Sequence, residues 1–216
     1  MLAVVRAAPE QSGAGTPEPS PLAPVEMEAE WLLARLATHD PATEVHCRRV
    51  ATWSGKIATA LGQSPERSAF VGRGGRLHDI GKLFTPVSIL RKAGPLTARQ
   101  VTRMQDHVTD GAEMLTAAPL LRPYVDIVIA HHERFDGSGY PQGLVGEAIP
   151  HDARIVAVAD ALDAMISGRP YREAIRPVQA LDELERSSDS HFDPVVVHAL
   201  ITLIKPPRPK RQEKER

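Results

Sequence analysis

The chain has 216 residues, enough for one domain with short tails. Its apolar share of 42% and charged share of 25% are ordinary for a globular protein, and its net charge of -1 gives no bulk attraction for a nucleic acid polymer or a membrane. The single cysteine, Cys47, excludes an internal disulfide and a cysteine-rich zinc site, and it favours a reducing compartment. No segment approaches the ~20 apolar residues that span a bilayer, so we expect a cytoplasmic protein.

Both ends of the sequence have the composition of flexible segments. Residues 1–25 carry repeated prolines among Gly, Ser, Ala and Glu, a composition that cannot bury enough apolar surface to offset the entropy of ordering. Residues 205–216 form a polar, mostly basic tail, which we interpret as a solvated end, with a partner-binding or nucleic-acid-binding arm as the alternative. We therefore expect one folded domain over residues 26–204.

Helical signals follow one another through this domain. Asp40 and Asp193 each stand before a proline, which is typical of an N-cap followed by a first-turn proline, and Thr97 with Gln100 forms a capping-box pattern. Together with apolar residues at helical spacing, these signals predict helices over 41–61, 64–78, 97–115, 119–133, 152–166 and 193–204. No alternating strand pattern competes, so the predicted fold class is all-α, a helical bundle.

Three glycines lie in the predicted helix that leads to His78. Gly72, Gly74 and Gly75 each cost about 1 kcal/mol of helix stability relative to alanine. Either neighbouring helices approach closely here, or the helix is weaker than its pattern implies, and both interpretations stay open.

Two dense groups of metal-ligating residues stand out. One is the run from His78 to Lys82, which reads His-Asp-Ile-Gly-Lys, and the other begins with His131 and His132. Imidazole is the commonest protein ligand for transition metals, and a carboxylate can bridge two ions. Adjacent helical residues point about 100° apart, so His78 can face one ion while Asp79 bridges to a second. The pattern therefore predicts a pair of metal ions.

Other polar residues are expected to point into the core. His46 shares a helix face with Val50, and His107 is likewise expected to point into the core. Asp160 follows an apolar stretch of a buried helix, where a carboxylate without a cation or donors is costly. Histidine and carboxylate ligands suit iron, manganese, cobalt or zinc.

The order of these groups resembles the HD-GYP family, which are cyclic-di-GMP phosphodiesterases of the HD phosphohydrolase superfamily. The similarity covers about residues 42–204, and its most specific part is the run His-His-Glu-x-x-Asp-Gly-x-Gly-Tyr-Pro at 131–141. The resemblance implies an HD-type helical bundle with a GYP-motif loop.

The resemblance also implies a set of site residues. One metal would be held by His46, His78, Asp79 and Asp160, and the second by Asp79 as the bridge with His107, His131 and His132. Lys82 matches the family lysine that hydrogen-bonds the metal-bound water or the scissile phosphate, and Tyr140 belongs to the loop that lines the substrate pocket. Arg169 and Arg172 resemble phosphate-contacting basic residues, for which guanidinium forks are well suited.

One position departs from some family members. These place a glutamate four residues before the first histidine, where it helps to bind a third metal, and this chain has Ala42 there. We therefore predict two divalent ions, with iron or manganese favoured and zinc, cobalt or nickel also admissible. Glu133 and Asp136 are interpreted as groups that order the loop rather than as ligands.

The implied function is hydrolysis of cyclic-di-GMP to pGpG, with further cutting to GMP, by a hydroxide that the two metals activate. Asp79 and Lys82 would be the catalytic residues, and activity should fall below about pH 6 as the imidazole ligands protonate. The alternatives are hydrolysis of another cyclic dinucleotide such as cyclic GMP-AMP, a general HD-type nucleotide phosphohydrolase, and a non-catalytic signalling module. A diguanylate cyclase or a separate sensory or receiver protein is the expected partner.

Overall fold

The computed structural model describes residues 23–167 and 174–205, and every structural statement below concerns these residues. The helices are α1 (Ala23–His39), α2 (Pro41–Ala60), α3 (Pro65–Leu77), α4 (Val87–Leu90), α5 (Ala98–Gln105), α6 (His107–Thr116), α7 (Val125–Ala130), α8 (His151–Ile166), α9 (Pro177–Arg186) and α10 (Pro194–Ile204). Short 3-10 helices cover Ile80–Phe84, Arg122–Tyr124 and Gly146–Ala148. Within the described ranges there is no strand, only isolated bridges, so the predicted all-α class is confirmed.

The predicted helix starts are present with their caps. The side chain of Asp40 accepts a hydrogen bond from the backbone N–H of Thr43 at 3.2 Å, and α2 begins at the following proline. Thr97 and Gln100 form both halves of the capping box that opens α5. Asp193 caps α10 in the same way as Asp40 caps α2. Each cap satisfies a backbone donor that the first helical turn leaves unpaired.

Two predicted helices are shorter than expected. The helix predicted over 97–115 is two helices, α5 and α6, which meet at Asp106. The helix predicted over 119–133 is a 3-10 turn followed by α7, which ends at Ala130. Both interruptions come directly before predicted metal ligands, His107 and His131.

The sequence patterns do not predict α1 or α9. Helix α1 buries Leu32, Leu33 and Leu36 against the core, and α9 buries Leu181 and Leu184. Because α1 begins at residue 23, three residues assigned to the lead-in are helical. The rest of the lead-in, and residues 206–216 of the tail, lie outside the described residues. None of the described helices has the length and apolar content that crossing a bilayer requires.

The glycines of α3 mark close helix–helix contact. A Cβ added at Gly75 would lie 2.7 Å from Oγ of Ser54 on α2, and one at Gly74 would collide with the Ile127 side chain on α7. The open question about these glycines is therefore decided in favour of packing. Their small size lets α3 approach both neighbours, which brings the end of α3 into the middle of the bundle.

Gly81 makes a similar contact directly after the histidine–aspartate pair. A Cβ there would clash with the backbone carbonyl of His107 and would lie 2.5 Å from the backbone nitrogen of Gly111. Glycine is the residue that permits this approach, because a side chain would fill the gap between the 3-10 turn and α6. The approach sets Asp79 beside His107.

Candidate metal centre

The predicted ligands come from separate parts of the chain and converge inside the bundle. His46 lies on α2, His78 and Asp79 follow α3, and His107 is the first residue of α6. His131 and His132 follow α7, and Asp160 lies on α8. The side chains of His78, Asp79, His107 and His131 are almost completely buried.

Asp79 lies between two sets of imidazoles. Its Oδ2 is 3.3 Å from Nε2 of His78 and 3.8 Å from Nε2 of His46, and its Oδ1 is 3.3 Å from Nε2 of His107. The candidate ligand atoms fall into two groups, each with its atoms within 4.8 Å of one another: His46, His78 and Asp79, and Asp79, His107, His131 and His132. Asp79 belongs to both groups, which is the position of a bridging carboxylate.

Asp160 borders the first of these groups. Its Oδ1 is 3.0 Å from Nε2 of His46. Burial alone would raise the pKa of Asp160, but the attraction of the nearby imidazoles, His46 first among them, outweighs burial and holds that pKa well below its usual range. Asp160 is therefore a carboxylate at neutral pH. The structure thus brings all the sequence-predicted ligands together.

Hydrogen bonds on the far side of the rings orient several imidazoles. Nδ1 of each of these histidines meets a carbonyl oxygen three residues upstream: His78 with Gly75 at 2.8 Å, His107 with Met104 at 2.6 Å and His131 with Val128 at 2.8 Å. A carbonyl only accepts, so the proton must sit on Nδ1. The lone pair of each Nε2 then faces the centre, as metal coordination requires.

The unpaired atoms of the centre fit a cation. Nε2 of His46, Nε2 of His78 and Oδ1 of Asp79 are buried and make no hydrogen bond. Buried polar atoms are normally paired, and here three electron-pair donors face one small space. Divalent transition metal ions bind such a set of imidazole and carboxylate donors well. The residues therefore fit the two ions that the sequence predicts.

The histidines that follow α7 are held in the neutral form. Burial lowers the pKa of His132 to about 3. Burial, reinforced by the neighbouring imidazoles, also holds the pKa of His131 well below its usual range. Burial would lower the pKa of His78 as well, but the charge of Asp79 outweighs it and raises that pKa. The charge of Asp79 thus shifts the pKa of His78 in the opposite direction from those of His131 and His132.

Lys82 lies at the edge of the centre. Its Nζ is 2.6 Å from Oδ2 of Asp79, one turn further along the 3-10 helix. Burial would raise the pKa of Asp79, but the charges of Lys82 and His78 hold it well below its usual range. The same ammonium group is thus placed to donate to a bound anion beside Asp79.

Tyr140 covers the second group of ligands. Its ring stacks on that of His132, with centroids 5.0 Å apart and planes inclined by 28°. Burial raises the pKa of the Tyr140 hydroxyl, which stays protonated at neutral pH. Arg169 and Arg172, the predicted phosphate contacts, lie outside the described residues.

Glu133 orders the loop that carries Tyr140. Its carboxylate accepts hydrogen bonds from the backbone N–H of Gln142 at 2.7 Å and of Leu144 at 3.1 Å. Asp136 accepts from the N–H of Ser138 at 2.8 Å. Both acidic residues therefore order the loop, as the sequence predicts. Their partners in these hydrogen bonds are backbone N–H groups of the loop.

Asp163 is a site residue that the sequence reasoning missed. It is fully buried on α8, and its Oδ2 is 2.7 Å from Nδ1 of His46. Burial would raise its pKa, but hydrogen bonds with His46 and Arg49 hold it below its usual range. A signal was present, because a second aspartate three residues after Asp160 falls on the same helix face.

Similarity to known proteins extends over most of this chain. A family model described as HD domain matches residues 30–196. The chain is 43% identical over 183 residues to the cyclic di-GMP phosphodiesterase response regulator RpfG of Xanthomonas campestris pv. campestris, covering 82% of this chain and 48% of that protein. It is 37% identical over 161 residues to the 3'3'-cGAMP-specific phosphodiesterase 2 of Vibrio cholerae, covering 74% of this chain and 31% of that protein.

A solved structure shows the same fold. The Bd1817 HDG"Y"P protein from Bdellovibrio bacteriovorus superposes with a TM-score of 0.63 at 19% identity, covering 84% of this chain and 61% of that chain. Fold and site together define an all-helical domain built around a histidine–aspartate centre. The chain belongs to the HD domain family, in its HD-GYP group. It spans about half the length of RpfG and a smaller share of the Vibrio cholerae relative.

Proposed function

We propose that this chain is a metal-dependent phosphodiesterase that hydrolyses cyclic-di-GMP to pGpG, with GMP as a further product. The observation that carries the proposal is the position of Asp79, whose two oxygens face two buried groups of imidazoles. A purely structural helical bundle gains nothing from concentrating unpaired donors in its core, because each costs desolvation energy. We propose residues 26–204 as the catalytic unit and the cytoplasm as its compartment.

The ligand assignment follows the two groups. His46, His78, Asp79 and Asp160 would hold one ion, and Asp79, His107, His131 and His132 the other, with iron or manganese favoured. When bound, two such ions lower the pKa of a water molecule and neutralise the charge of a phosphodiester. Proton donation and substrate binding would be carried out by the protein's own side chains.

Lys82 is the proposed catalytic donor. Its ammonium group lies beside Asp79 and is partly buried, so a phosphate at the centre would come within reach of its N–H groups. It would stabilise negative charge on the phosphate and donate a proton as the ribose 3′-oxygen departs. Because the site is mostly closed to solvent, this interaction is stronger than it would be in water.

Tyr140 is the proposed wall of the substrate pocket. Its stacking on His132 fixes the ring over the second ligand group, and the hydrogen bonds of Glu133 hold the loop that carries it. Arg169 and Arg172 are proposed as phosphate contacts by resemblance alone. Guanidinium groups would bind the substrate's non-reacting phosphate and orient the reacting one.

Cyclic GMP-AMP is the second candidate substrate. The Vibrio cholerae relative with 37% identity is named as specific for 3'3'-cGAMP, whereas RpfG is named as a cyclic di-GMP phosphodiesterase. The centre cannot distinguish the two, since both substrates present the same phosphodiester linkage. RpfG is also named a response regulator. A separate sensory or receiver protein, or a diguanylate cyclase, stays the proposed partner of this chain.

The test uses protein purified without oxygen, with its metal content measured before incubation with each cyclic dinucleotide and chromatography of the products. We expect two ions per chain and release of pGpG, with no turnover by Asp79→Ala. Asp126→Ala, an exposed carboxylate on α7, is the matched control and should keep full activity. Full metal loading with nucleotide binding but no cleavage would instead identify a sensor.

A further inference from the structure

His46 is anchored differently from the histidines whose Nδ1 meets a backbone carbonyl of the preceding turn. Its Nδ1 meets a carboxylate oxygen, Oδ2 of Asp163, at 2.7 Å. The two residues lie on α2 and α8 and are 117 positions apart in the sequence. The orientation of this one ligand therefore depends on how two helices dock.

The carboxylate of Asp163 is itself fixed by other donors. Nε of Arg49 donates to Oδ1 at 2.6 Å, and Nη2 of Arg49 donates to Oδ2 at 3.0 Å. Oγ of Ser167 donates to Oδ1 at 3.1 Å. This fork-to-fork arrangement is rigid, because both planar groups are held by two parallel bonds. Asp163 can thus hold the His46 ring in one orientation.

We infer that Asp163 and Arg49 are positioning residues for the first ion, which is the ion that His46 would bind. Asp163 fixes the ring plane and the Nδ1–H form of His46, and Arg49 fixes Asp163. The inference deepens the proposed function and rests on it for the identity of the site. Neither residue belongs to the two groups of candidate ligand atoms. Both act through His46.

Two physical effects support this role. A carboxylate on Nδ1–H makes the opposite nitrogen a stronger electron donor than a neutral carbonyl would, which favours binding of a cation. The hydrogen bond also restricts rotation of the ring, so Nε2 faces Asp160 at 3.0 Å before any ion arrives. Preorganisation of this kind lowers the entropy that binding must offset.

A purely structural role of the Arg49–Asp163 pair would predict a change in stability alone. The Arg49–Asp163 pair joins α2 to α8, so it could act only as a link between helices. In that case its loss would lower stability without changing the affinity of one ion relative to the other. The two roles therefore differ in whether loss of the pair weakens the binding of one ion more than that of the other.

The experiment is Mn²⁺ titration of the full chain, followed by equilibrium binding and electron paramagnetic resonance. In Asp163→Asn an amide N–H₂ must face a donor of Arg49, of His46 or of Ser167, which favours the wrong ring tautomer of His46. We expect one ion to bind as in the wild type and the other about 10- to 100-fold more weakly. The spectrum should change from a coupled pair to isolated Mn²⁺.

Asp152→Asn is the matched control. Asp152 also lies buried on α8 and pairs with an arginine, Arg67, but it has no contact with the candidate ligands. This variant should keep both ions and the coupled spectrum, even if it unfolds at lower temperature. If Asp163→Asn bound each of the two ions as tightly as the wild type does, the inference would be overturned.

Arg49→Lys keeps the proposal testable if Asp163→Asn does not fold. Arg49 is partly exposed, with 41% of its side-chain surface accessible, so the variant should fold. Lysine keeps the charge but cannot form the fork, so the first ion should weaken by less than in Asp163→Asn. Unchanged binding of both ions in Arg49→Lys would contradict the role of the fork. Because the readout is metal binding, it is independent of whether any dinucleotide is cleaved.

Discussion

Replacing Gly81 by alanine tests how the centre is assembled. A Cβ at this position would lie 2.5 Å from the backbone nitrogen of Gly111, whereas non-bonded atoms pack at about 3.5–4.0 Å. The 3-10 turn and α6 would have to separate by about 1 Å, since both colliding groups are backbone. That shift would move Asp79 away from His107. We expect a loss of about 1–3 kcal/mol in stability.

The functional loss should exceed what reduced stability alone explains. A misplacement of about 1 Å in a catalytic constellation can cost about 100-fold in rate. The assay measures hydrolysis and metal content at a temperature where the variant stays folded by circular dichroism. Gly94→Ala is the matched control, because a Cβ there meets nothing within 4 Å and Gly94 has no positive φ. If Gly81→Ala kept wild-type metal affinity and rate, the reasoning about this contact would be wrong.

Three further perturbations have expected outcomes. Lys82→Met should lower kcat by about 100-fold while both ions stay bound, and unchanged kcat would exclude Lys82 as the donor. Removal of metal by a chelator should abolish hydrolysis and lower thermal stability, by about 2.7 kcal/mol if the free ion had been at 100 times its Kd, and Mn²⁺ should restore both. Asp40→Ala should cost about 1 kcal/mol, measured by denaturant unfolding, because α2 loses its N-cap.

The Asp40 effect should also depend on pH. Burial would raise its pKa, but hydrogen bonds from Thr43 and Arg91 outweigh burial and lower it. A carboxyl group with a lowered folded-state pKa stabilises the protein above the unfolded value of about 3.9 and loses that contribution as pH falls through the folded value. The stability difference between wild type and Asp40→Ala should therefore be present at pH 7 and shrink in acid. A difference independent of pH would contradict this account.

The sequence by itself determined the all-α class, the capped helix starts and the identity of the candidate ligands. The helix class and the helix starts depend on residues that are near one another in the chain, and the candidate ligands follow from the resemblance to the HD-GYP family. Asp40 caps the helix that follows it, and the two adjacent histidines after Ala130 indicate a metal-ligating cluster. Local propensity and side-chain chemistry suffice for such features.

Only the tertiary structure decided how the ligands meet. The glycines of α3 were ambiguous until Ser54 and Ile127 were seen to pack against them. The single helix predicted over 97–115 divides at Asp106, directly before the candidate ligand His107. The contact of Asp163 with His46 joins residues 117 positions apart, and no local pattern encodes which carboxylate on α8 faces which ring on α2. Helix docking sets that pairing, because it depends on the shape of the whole core rather than on any one segment.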